Sequence, residues 1–252
     1  MLAARSSRLV FRAFHAGRAV IREILIQGRG PNILSHDSLQ SMNAALEEAA
    51  SDPIVLVGAG HAFSAGIDTS FTDLEQTRQV ITLVDEFVER LFFHPAPTVA
   101  AINGHAIAGG CLLAQACDQR VLSRGSKIRI GMPGVALGIR YPPRALRLLR
   151  YRVPSASLET LLLGAAIHEP ERALALGLVD MVVDDALSVA HRQAASMSAW
   201  PRHAYWEAKR ALRGDALCVP VDEQAAFDRE FAEYWDPEKL NSARRQERTE
   251  EH

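Results

Sequence analysis

Two glycine- and alanine-rich turns, each between a short apolar run and a helical pattern, constrain the fold of this chain most. The first turn, GAGHAFSAG, occupies residues 58–66 and follows the apolar run 54–57; the second, NGHAIAGG, occupies residues 103–110 and follows the run 98–102. Apolar runs of this length are typical of strands buried on both faces of a parallel sheet. The recurrence of strand, turn and helix about every 45 residues predicts an α/β spiral with right-handed crossovers.

The amino-terminal segment has two interpretations. The apolar runs 9–14 and 19–26, separated by residues 15–17, predict a β-hairpin. The same segment is rich in arginine and has no acid before Glu23, a composition that is also typical of a mitochondrial transit peptide. We favour the hairpin.

Helical and strand periods extend the pattern along the chain. A helix is predicted over residues 38–50, with Ser35 or Asp37 as its N-cap, and Gly177 is predicted to end a later helix. The other predicted helices are 75–93, 110–116, 143–149, 157–163 and 171–176, and the other predicted strands are 118–122, 128–130 and 179–183.

The carboxy-terminal part of the chain has a different character from the repeating units. Beyond Asp185 the pattern predicts helix, turn and helix, and the charged run 238–252 predicts a solvated helix end or a disordered tail. We therefore predict two regions, a spiral core of residues 1–195 and a helical region of residues 196–252.

Composition excludes several classes of protein. The 252 residues are 48% hydrophobic, which is enough for one sizeable core. A net charge of −2 gives no basic excess for binding nucleic acid. Three cysteines without a CxxC pair argue against a disulfide framework and a metal site, and favour a reducing compartment. No apolar run reaches the roughly 18 residues of a membrane span, so we predict a soluble protein, cytoplasmic rather than in the mitochondrial matrix.

The position of the two turns suggests their chemistry. A helix N-terminus carries unpaired N–H groups and the positive end of the helix dipole, so it stabilises negative charge that develops on a nearby oxygen. Glycine and alanine let a ligand approach the backbone closely. Two such turns in one repeating scaffold can direct two N–H donors at one oxyanion.

Five segments in order resemble the crotonase superfamily, which contains the enoyl-CoA hydratases and isomerases. The strongest are HAFSAGID at 61–68 and AINGHAIAGGCLLAQACD at 101–118, which resemble its two oxyanion-hole segments. The other three are PNILS at 31–35, ERALALGLVDMVV at 171–183 and AKRAL at 208–212. The resemblance implies a ββα spiral core, a crotonase-like α/β fold, with a carboxy-terminal helical region that assembles homotrimers or hexamers.

The resemblance also implies a substrate and a site. The substrate is an acyl-CoA thioester, so coenzyme A arrives as part of the substrate and no cofactor is bound tightly. The backbone amides of Ala65 and Gly109 are expected to hold the carbonyl oxygen and to stabilise a thioester enolate. The residues expected to contact the ligand are Pro31, Ile33, Ala65, Ile67, Asp68 and Gly109.

Both customary catalytic carboxylates of the hydratases are missing. The family places one glutamate after the second turn and another in a later FGxPE segment, where this chain has Leu112 and Gly134. The 3,2-enoyl-CoA isomerases keep only the second glutamate, and Gly134 replaces that one as well. No acid occurs between residues 119 and 157, so a shifted carboxylate in that segment does not replace it.

Tyr141 and His105 are the candidates to replace these acids. LGIRY at 137–141 resembles the LGVPY segment of methylmalonyl-CoA decarboxylase, although that enzyme has histidine where this chain has Ile67. An ordinary half-buried aromatic role for Tyr141 is equally compatible with the sequence. An imidazole can donate or accept a proton, but we favour a His105 side chain that points away from the ligand.

Several other residues have less specific interpretations. Cys111 starts a helix, where a thiol is activated, but buried packing is the favoured interpretation. Asp68 is expected to cap the following helix. Coenzyme A phosphates need basic partners, for which Arg22, Arg29 and Lys209 are equally compatible with a solvated surface position. His61 flanks the first turn without a predicted role.

Two further interpretations are disfavoured by their spacing. GAGHAF at 58–63 lacks the third glycine of a dinucleotide loop. Ser64 lacks the nucleophile-elbow context of a hydrolase.

Three hypotheses about function remain open at this point. The first is a hydratase-like or isomerase-like enzyme with an unusual acid or base. The second is an acyl-CoA decarboxylase or hydrolase that uses Tyr141 or His105. The third is a protein that binds CoA thioesters, or pairs with an active homologue, without catalysis.

Overall fold

The computed structural model describes residues 11–16, 19–68, 70, 73–236 and 238, which form a large sheet, a small sheet and surrounding helices. The strands are β1 (Phe11–Ala16), β2 (Ala19–Ile26), β3 (Ile54–Gly58), β4 (Thr98–Ile102), β5 (Ala106–Ile107), β6 (Gln119–Ser123), β7 (Ile130–Gly131), β8 (Ile167–His168) and β9 (Met181–Val183). The helices are α1 (Arg29–Asn32), α2 (His36–Ala49), α3 (Leu74–Phe92), α4 (Gly109–Ala116), α5 (Pro143–Arg152), α6 (Ser155–Leu162), α7 (Pro170–Ala175), α8 (Ala186–Ser198), α9 (Arg202–Arg213) and α10 (Val221–Tyr234), with a 3-10 helix at Pro133–Leu137.

The large sheet has the strand order β1-β2-β3-β4-β6-β9 and is parallel apart from the β1–β2 hairpin. Successive side chains of a strand point to opposite faces. Val55 of β3 and Val99 of β4 therefore pack against α8, whereas Leu56 and Ala100 belong to the larger core beneath α2, α3 and α4. Because both faces are covered, β3 and β4 are buried at every position, as the apolar runs in their sequences predicted.

The small sheet lies where the two turns meet. Its strand order is β5-β7-β8, and a parallel bridge joins Ser64 of the first turn to Ala106 of β5. A second bridge joins Leu34 to Ile67. These pairings attach the first turn to the second turn on one side and to the segment after α1 on the other.

The predicted elements are largely confirmed. β1 and β2 form the predicted antiparallel hairpin, with Phe14 opposite Ile21, while residues 9–10 and the turn residue Gly17 lie outside the described residues. Ser35, and not Asp37, caps α2 through a capping box, and Gly177 has a φ of 73° just after α7. Among the described residues, no helix is long and apolar enough to cross a membrane.

The carboxy-terminal helices are held on the core by a buried carboxylate. Asp118 accepts hydrogen bonds from Tyr205 at 2.6 Å, from Lys209 at 3.0 Å and from Arg213 at 2.7 Å, all on α9. Burial acts to raise the pKa of Asp118, but the charges of Lys209 and Arg213 together hold it below its usual range. Lys209 is therefore a buried structural residue, and the suggestion that it binds a coenzyme A phosphate is wrong.

The predicted boundary after residue 195 falls inside α8, which packs on the large sheet. Beyond it, α9 and α10 form the predicted helical region, and α10 lies against α3 through Phe227, Phe231 and Trp235. The predicted solvated or disordered tail lies outside the described residues apart from Glu238.

Candidate active site

A mostly apolar cavity lies between the two turns and the helices around them. One side, which we call the turn wall, consists of Ala65, Ile67, Ala108 and Gly109. The opposite group, which we call the helix wall, consists of Ile81, Val84 and Asp85 of α3, Ala145 of α5, and Trp235 at the end of α10. The remaining lining residues are Leu112, Met132, Gly134, Leu137, Ile139, Tyr141 and Pro142.

Hydrogen bonds lock the two turns together. The Asn103 side chain donates to the carbonyl oxygens of Gly58 and Gly60, each at 2.9 Å. The His105 carbonyl accepts the N–H groups of Phe63 and Ser64 at 3.1 and 2.9 Å. Hydrogen bonds of the Asn103 side chain and of the His105 carbonyl therefore fix the spacing between the turns, and neither residue lines the cavity.

The structure corrects the first of the two predicted amide donors. The Ala65 N–H donates to the carbonyl oxygen of Pro31 at 3.0 Å, so it is not available to a ligand. The Leu34 N–H donates to Gly66 O, and the Asp68 N–H donates to Leu34 O. Because successive N–H groups of an extended segment point to opposite sides, the intervening N–H of Ile67 points away from Leu34.

The Ile67 and Gly109 amides are the free donors of the turn wall. Neither makes a hydrogen bond to any described residue. Gly109 is the first residue of α4, where an N–H has no partner within the helix. Ala108 precedes it with a φ of 49°, a strained conformation for a residue with a Cβ, and such strain is common at functional sites.

Close packing of two glycines brings these amides together. Gly66 has a φ of 90°, and a Cβ at this position would lie 2.9 Å from Ile107 O and 3.1 Å from Gly109 N. A Cβ on Gly109 would lie 3.3 Å from Ile67 Cγ1. At Gly66 the two backbones therefore approach more closely than a side chain would permit, and a side chain at Gly109 would be tightly packed.

Both positions at which the family carries a glutamate face this cavity. Leu112 and Gly134 belong to its lining, so the missing carboxylates are missing from the site itself. A Cβ on Gly134 would lie 2.9 to 3.0 Å from the ring and hydroxyl of Tyr141. The Tyr141 ring thus occupies the space that a side chain at position 134 would need.

Tyr141 lines the cavity, but its hydroxyl is committed to the backbone. The hydroxyl donates to Met132 O at 2.6 Å and accepts the Gly134 N–H at 2.9 Å. Burial raises its pKa to about 12. A hydroxyl whose single proton already bonds a carbonyl is poorly placed to give that proton to a ligand.

His105 does not line the cavity. Its ring is exposed, and Nδ1 accepts the Arg129 N–H at 3.2 Å. The favoured interpretation, a side chain that points away while the backbone shapes the turn, therefore fits the structure. The acid–base role for His105 has no support from this geometry.

Buried packing also accounts for Cys111 and Ser64. Cys111 is fully buried, and burial raises its pKa to about 12. The Ser64 hydroxyl donates to Asn32 O at 2.8 Å and accepts the Gly66 N–H at 3.1 Å. Neither residue is an accessible nucleophile.

The remaining predicted ligand residues surround the turn wall without lining the cavity. Pro31 supplies the carbonyl that holds Ala65, and Ile33 donates its N–H to Arg29 O. Asp68 accepts from the Ser70 N–H and faces Arg29, so it does not cap the next helix. That cap is Asp73, which accepts the Glu75 N–H at 2.9 Å.

Asp85 was missed by the sequence analysis. It lies one turn after Ile81 and next to Val84 on the cavity face of α3. Burial raises its pKa to about 6, against a smaller lowering by Arg144. The sequence does contain a signal for Asp85. It is a charged residue at helical spacing from Ile81 and Val88, on an otherwise apolar face of the helix.

Comparison with known proteins identifies the family. The sequence profile described as Enoyl-CoA hydratase/isomerase matches residues 17–245. The chain belongs to the enoyl-CoA hydratase/isomerase family. A short-chain-enoyl-CoA hydratase of Clostridium acetobutylicum is 30% identical over 223 residues, which cover 84% of each chain.

Two further relatives match over shorter segments. A relative from Thermus thermophilus is 38% identical over 162 residues, which are 60% of this chain and 62% of that protein. A relative from Bacillus subtilis is 35% identical over 63% of this chain and 64% of its own length. The alignments thus span less than two thirds of these two members of the enoyl-CoA hydratase/isomerase family.

Solved structures confirm the crotonase fold. The crystal structure of human mitochondrial delta3-delta2-enoyl-CoA isomerase matches with a TM-score of 0.85 and 25% identity, covering 96% of this chain and all of that one. An enoyl-CoA isomerase of Mycobacterium tuberculosis matches with a TM-score of 0.76 and 26% identity, covering 89% of this chain and 98% of that one. The predicted crotonase-like α/β fold with carboxy-terminal helices is therefore confirmed.

Proposed function

We propose that this protein binds an enoyl-CoA thioester and isomerises its double bond from the 3,4 to the 2,3 position. The observation that carries the proposal is the pair of free amides, Ile67 and Gly109, that border an apolar cavity without either hydratase glutamate. The similarity to human mitochondrial delta3-delta2-enoyl-CoA isomerase supports it. Coenzyme A belongs to the substrate, and no tightly bound cofactor is required.

The chemistry follows from where negative charge develops. Loss of a proton from C2 of a 3-enoyl thioester moves charge onto the thioester oxygen and gives a dienolate. The N–H groups of Ile67 and Gly109 bind that oxygen, and their interaction strengthens as the charge grows. Return of the proton at C4 gives the conjugated 2-enoyl thioester.

Isomerisation suits this cavity better than hydration. Hydration must position and activate a water molecule as well as supply a proton, a task that two glutamates share in the hydratases. Isomerisation only moves a proton that the substrate already carries, so one acid–base group is sufficient. The apolar side chains of Leu112, Met132 and Ile139 in the lining favour a reaction without water.

Binding and turnover test the proposal separately. We expect calorimetry to detect binding of acetoacetyl-CoA, and we expect trans-3-hexenoyl-CoA to be converted to the conjugated thioester, followed by its absorbance and by mass. Parallel assays with crotonyl-CoA and malonyl-CoA detect hydration and decarboxylation. Absence of acetoacetyl-CoA binding contradicts the thioester site, and hydration faster than isomerisation contradicts the proposed reaction.

Assembly and location stay predictions. Trp200, Leu212 and Val221 are 53, 75 and 86% exposed in the single chain, and such apolar side chains are available for an interface in the predicted homotrimer or hexamer. Sedimentation of the purified protein measures this directly. Cytoplasmic location is likewise a prediction, and fractionation of the source cells would check it.

A further inference from the structure

Asp85 is the one carboxyl group among the described residues that line the cavity. It is held by a well-packed helix, because Val84, Phe87 and Val88 around it on α3 belong to the core. The Tyr141 ring, Ala145 and Trp235 line the same cavity. The Asp85 carboxylate is therefore held beside the space that an acyl chain would enter.

Asp85 has no structural partner that explains its position. Within the described part of the chain its carboxylate makes no hydrogen bond and no salt bridge. The nearby cation, Arg144 of α5, pairs with Glu89, one turn further along α3. A partly buried carboxylate without a hydrogen-bonding partner is unfavourable, and such groups are common at functional sites.

The environment of Asp85 suits proton transfer near neutral pH. Desolvation raises its pKa to about 6, the positive charge of Arg144 opposes this increase, and the negative charge of Glu89 adds to it. Tyr141 faces the cavity in its neutral form, since burial raises its pKa to about 12. A base with a pKa just below the working pH is largely ionised and still returns its proton readily.

The other candidates near the acyl chain do not supply a base. Leu112 and Gly134 carry no proton-transfer group. The Tyr141 hydroxyl bonds Met132 O and the Gly134 N–H. His105 lies outside the lining and bonds the Arg129 N–H.

We propose that the Asp85 carboxylate takes the proton from C2 of the bound enoyl thioester and returns it to C4. The electron pair of the C2–H bond passes into the dienolate, whose oxygen is held by the Ile67 and Gly109 amides. The C3–C4 double bond becomes the C2–C3 double bond as C4 accepts the proton, and Asp85 ends as a carboxylate. No water or other reactant is consumed.

This inference rests on the proposed thioester site, so its experiment separates the two. The variant is Asp85→Asn, which keeps the shape of the side chain and removes the base. The matched control is Glu86→Gln, the same chemical change at the adjacent, exposed position of α3. Binding of acetoacetyl-CoA reports on the thioester site, and two proton-transfer assays report on Asp85.

The first assay is isomerisation of trans-3-hexenoyl-CoA, and the second is exchange of the C2 protons of butyryl-CoA in deuterium oxide, followed by mass spectrometry. We expect Asp85→Asn to bind acetoacetyl-CoA as the unchanged protein does, and to lose at least about 100-fold in both rates. We also expect the rate of the unchanged protein to rise with pH through an apparent pKa near 6 and the residual rate of Asp85→Asn to lack that limb. Glu86→Gln should behave as the unchanged protein.

Every other outcome contradicts either the role of Asp85 or the thioester site. If the unchanged protein binds acetoacetyl-CoA but Asp85→Asn retains isomerisation and exchange, Asp85 is not the base and the thioester site stands. Binding without exchange or turnover in the unchanged protein also contradicts the role of Asp85, and then supports a non-catalytic binder. Failure of the unchanged protein to bind removes both proposals together.

Discussion

The turn wall and the helix wall of the cavity are built on different principles. The turn wall offers backbone N–H groups from two segments that the chain locks together through Asn103 and the small sheet. The helix wall offers side chains from α3, α5 and α10, which lie far apart in sequence and meet only in the folded protein. In the proposed reaction, charge stabilisation therefore depends on the backbone, whereas proton transfer and the fit of the acyl chain depend on individual side chains.

The largest change in rate is expected from a substitution that disrupts the turn wall. In Gly66→Ala the new Cβ would lie 2.9 Å from Ile107 O and 3.1 Å from Gly109 N, so the two turns must separate. We expect isomerisation to fall by about 10²- to 10³-fold, the usual cost of losing an oxyanion donor. The measurement is kcat/KM with trans-3-hexenoyl-CoA.

Gly60→Ala is the control for this substitution. Gly60 also has a positive φ, 71°, but a Cβ there meets no atom within 4 Å. It therefore carries the conformational cost without the steric contact, and we expect it to lower stability while activity is kept. Equal losses of activity in both variants would show that the close approach of the turns is not what the site requires.

The second effect concerns stability at the helix wall. The folded-state pKa of Asp85 is about 6, above the ordinary value of 3.8, so ionisation at neutral pH opposes folding. Asp85→Asn should therefore stabilise the protein above pH ~6, by up to about 3 kcal/mol, and the gain should vanish below pH ~4, where the carboxyl is protonated in both states.

Urea unfolding at both pH values measures this effect. Glu86→Gln, on the exposed face of α3, should show no comparable pH-dependent gain. A loss of stability in Asp85→Asn at neutral pH would mean that the carboxylate has a favourable partner in solution. If Asp85→Asn gains stability and loses activity, the carboxylate that the reaction needs is also a group that destabilises the fold. The backbone N–H donors of the turn wall do not destabilise the fold in this way.

The third prediction tests whether the Tyr141 hydroxyl stabilises the fold or takes part in catalysis. Tyr141→Phe removes the hydrogen bonds to Met132 O and from the Gly134 N–H. We expect a loss of about 1 to 3 kcal/mol in the free energy of unfolding and only a small change in kcat. A large fall in kcat at unchanged stability would instead assign the hydroxyl a role in catalysis.

The smallest effect concerns the contact of α10 with the cavity. Trp235 donates its indole N–H to Arg140 O at 3.0 Å and stacks on Phe231. Trp235→Phe should cost about 1 kcal/mol of stability, measured by thermal unfolding. Trp200→Phe makes the same change at a tryptophan that is 53% exposed, and we expect it to cost less. Equal costs would argue that α10 is not held by this hydrogen bond.

The order of the strands and helices, the positions of the two turns and the family could all be predicted from the amino-acid sequence. These depend on local properties: apolar runs for β3 and β4, helical spacing for α3, and small residues wherever two backbones touch. The absence of both customary glutamates was also visible, since it depends only on which residues occupy positions 112 and 134.

Which amide is free, and which carboxyl group lines the cavity, depends on the tertiary structure. The motif led to Ala65, but the direction of an N–H in an extended segment depends on its neighbours, here Pro31 and Leu34, so the free donor is Ile67. Asp85 becomes a candidate base because packing places it in the cavity and partly desolvates it. Both facts arise from contacts between segments distant in sequence, which local pattern does not encode.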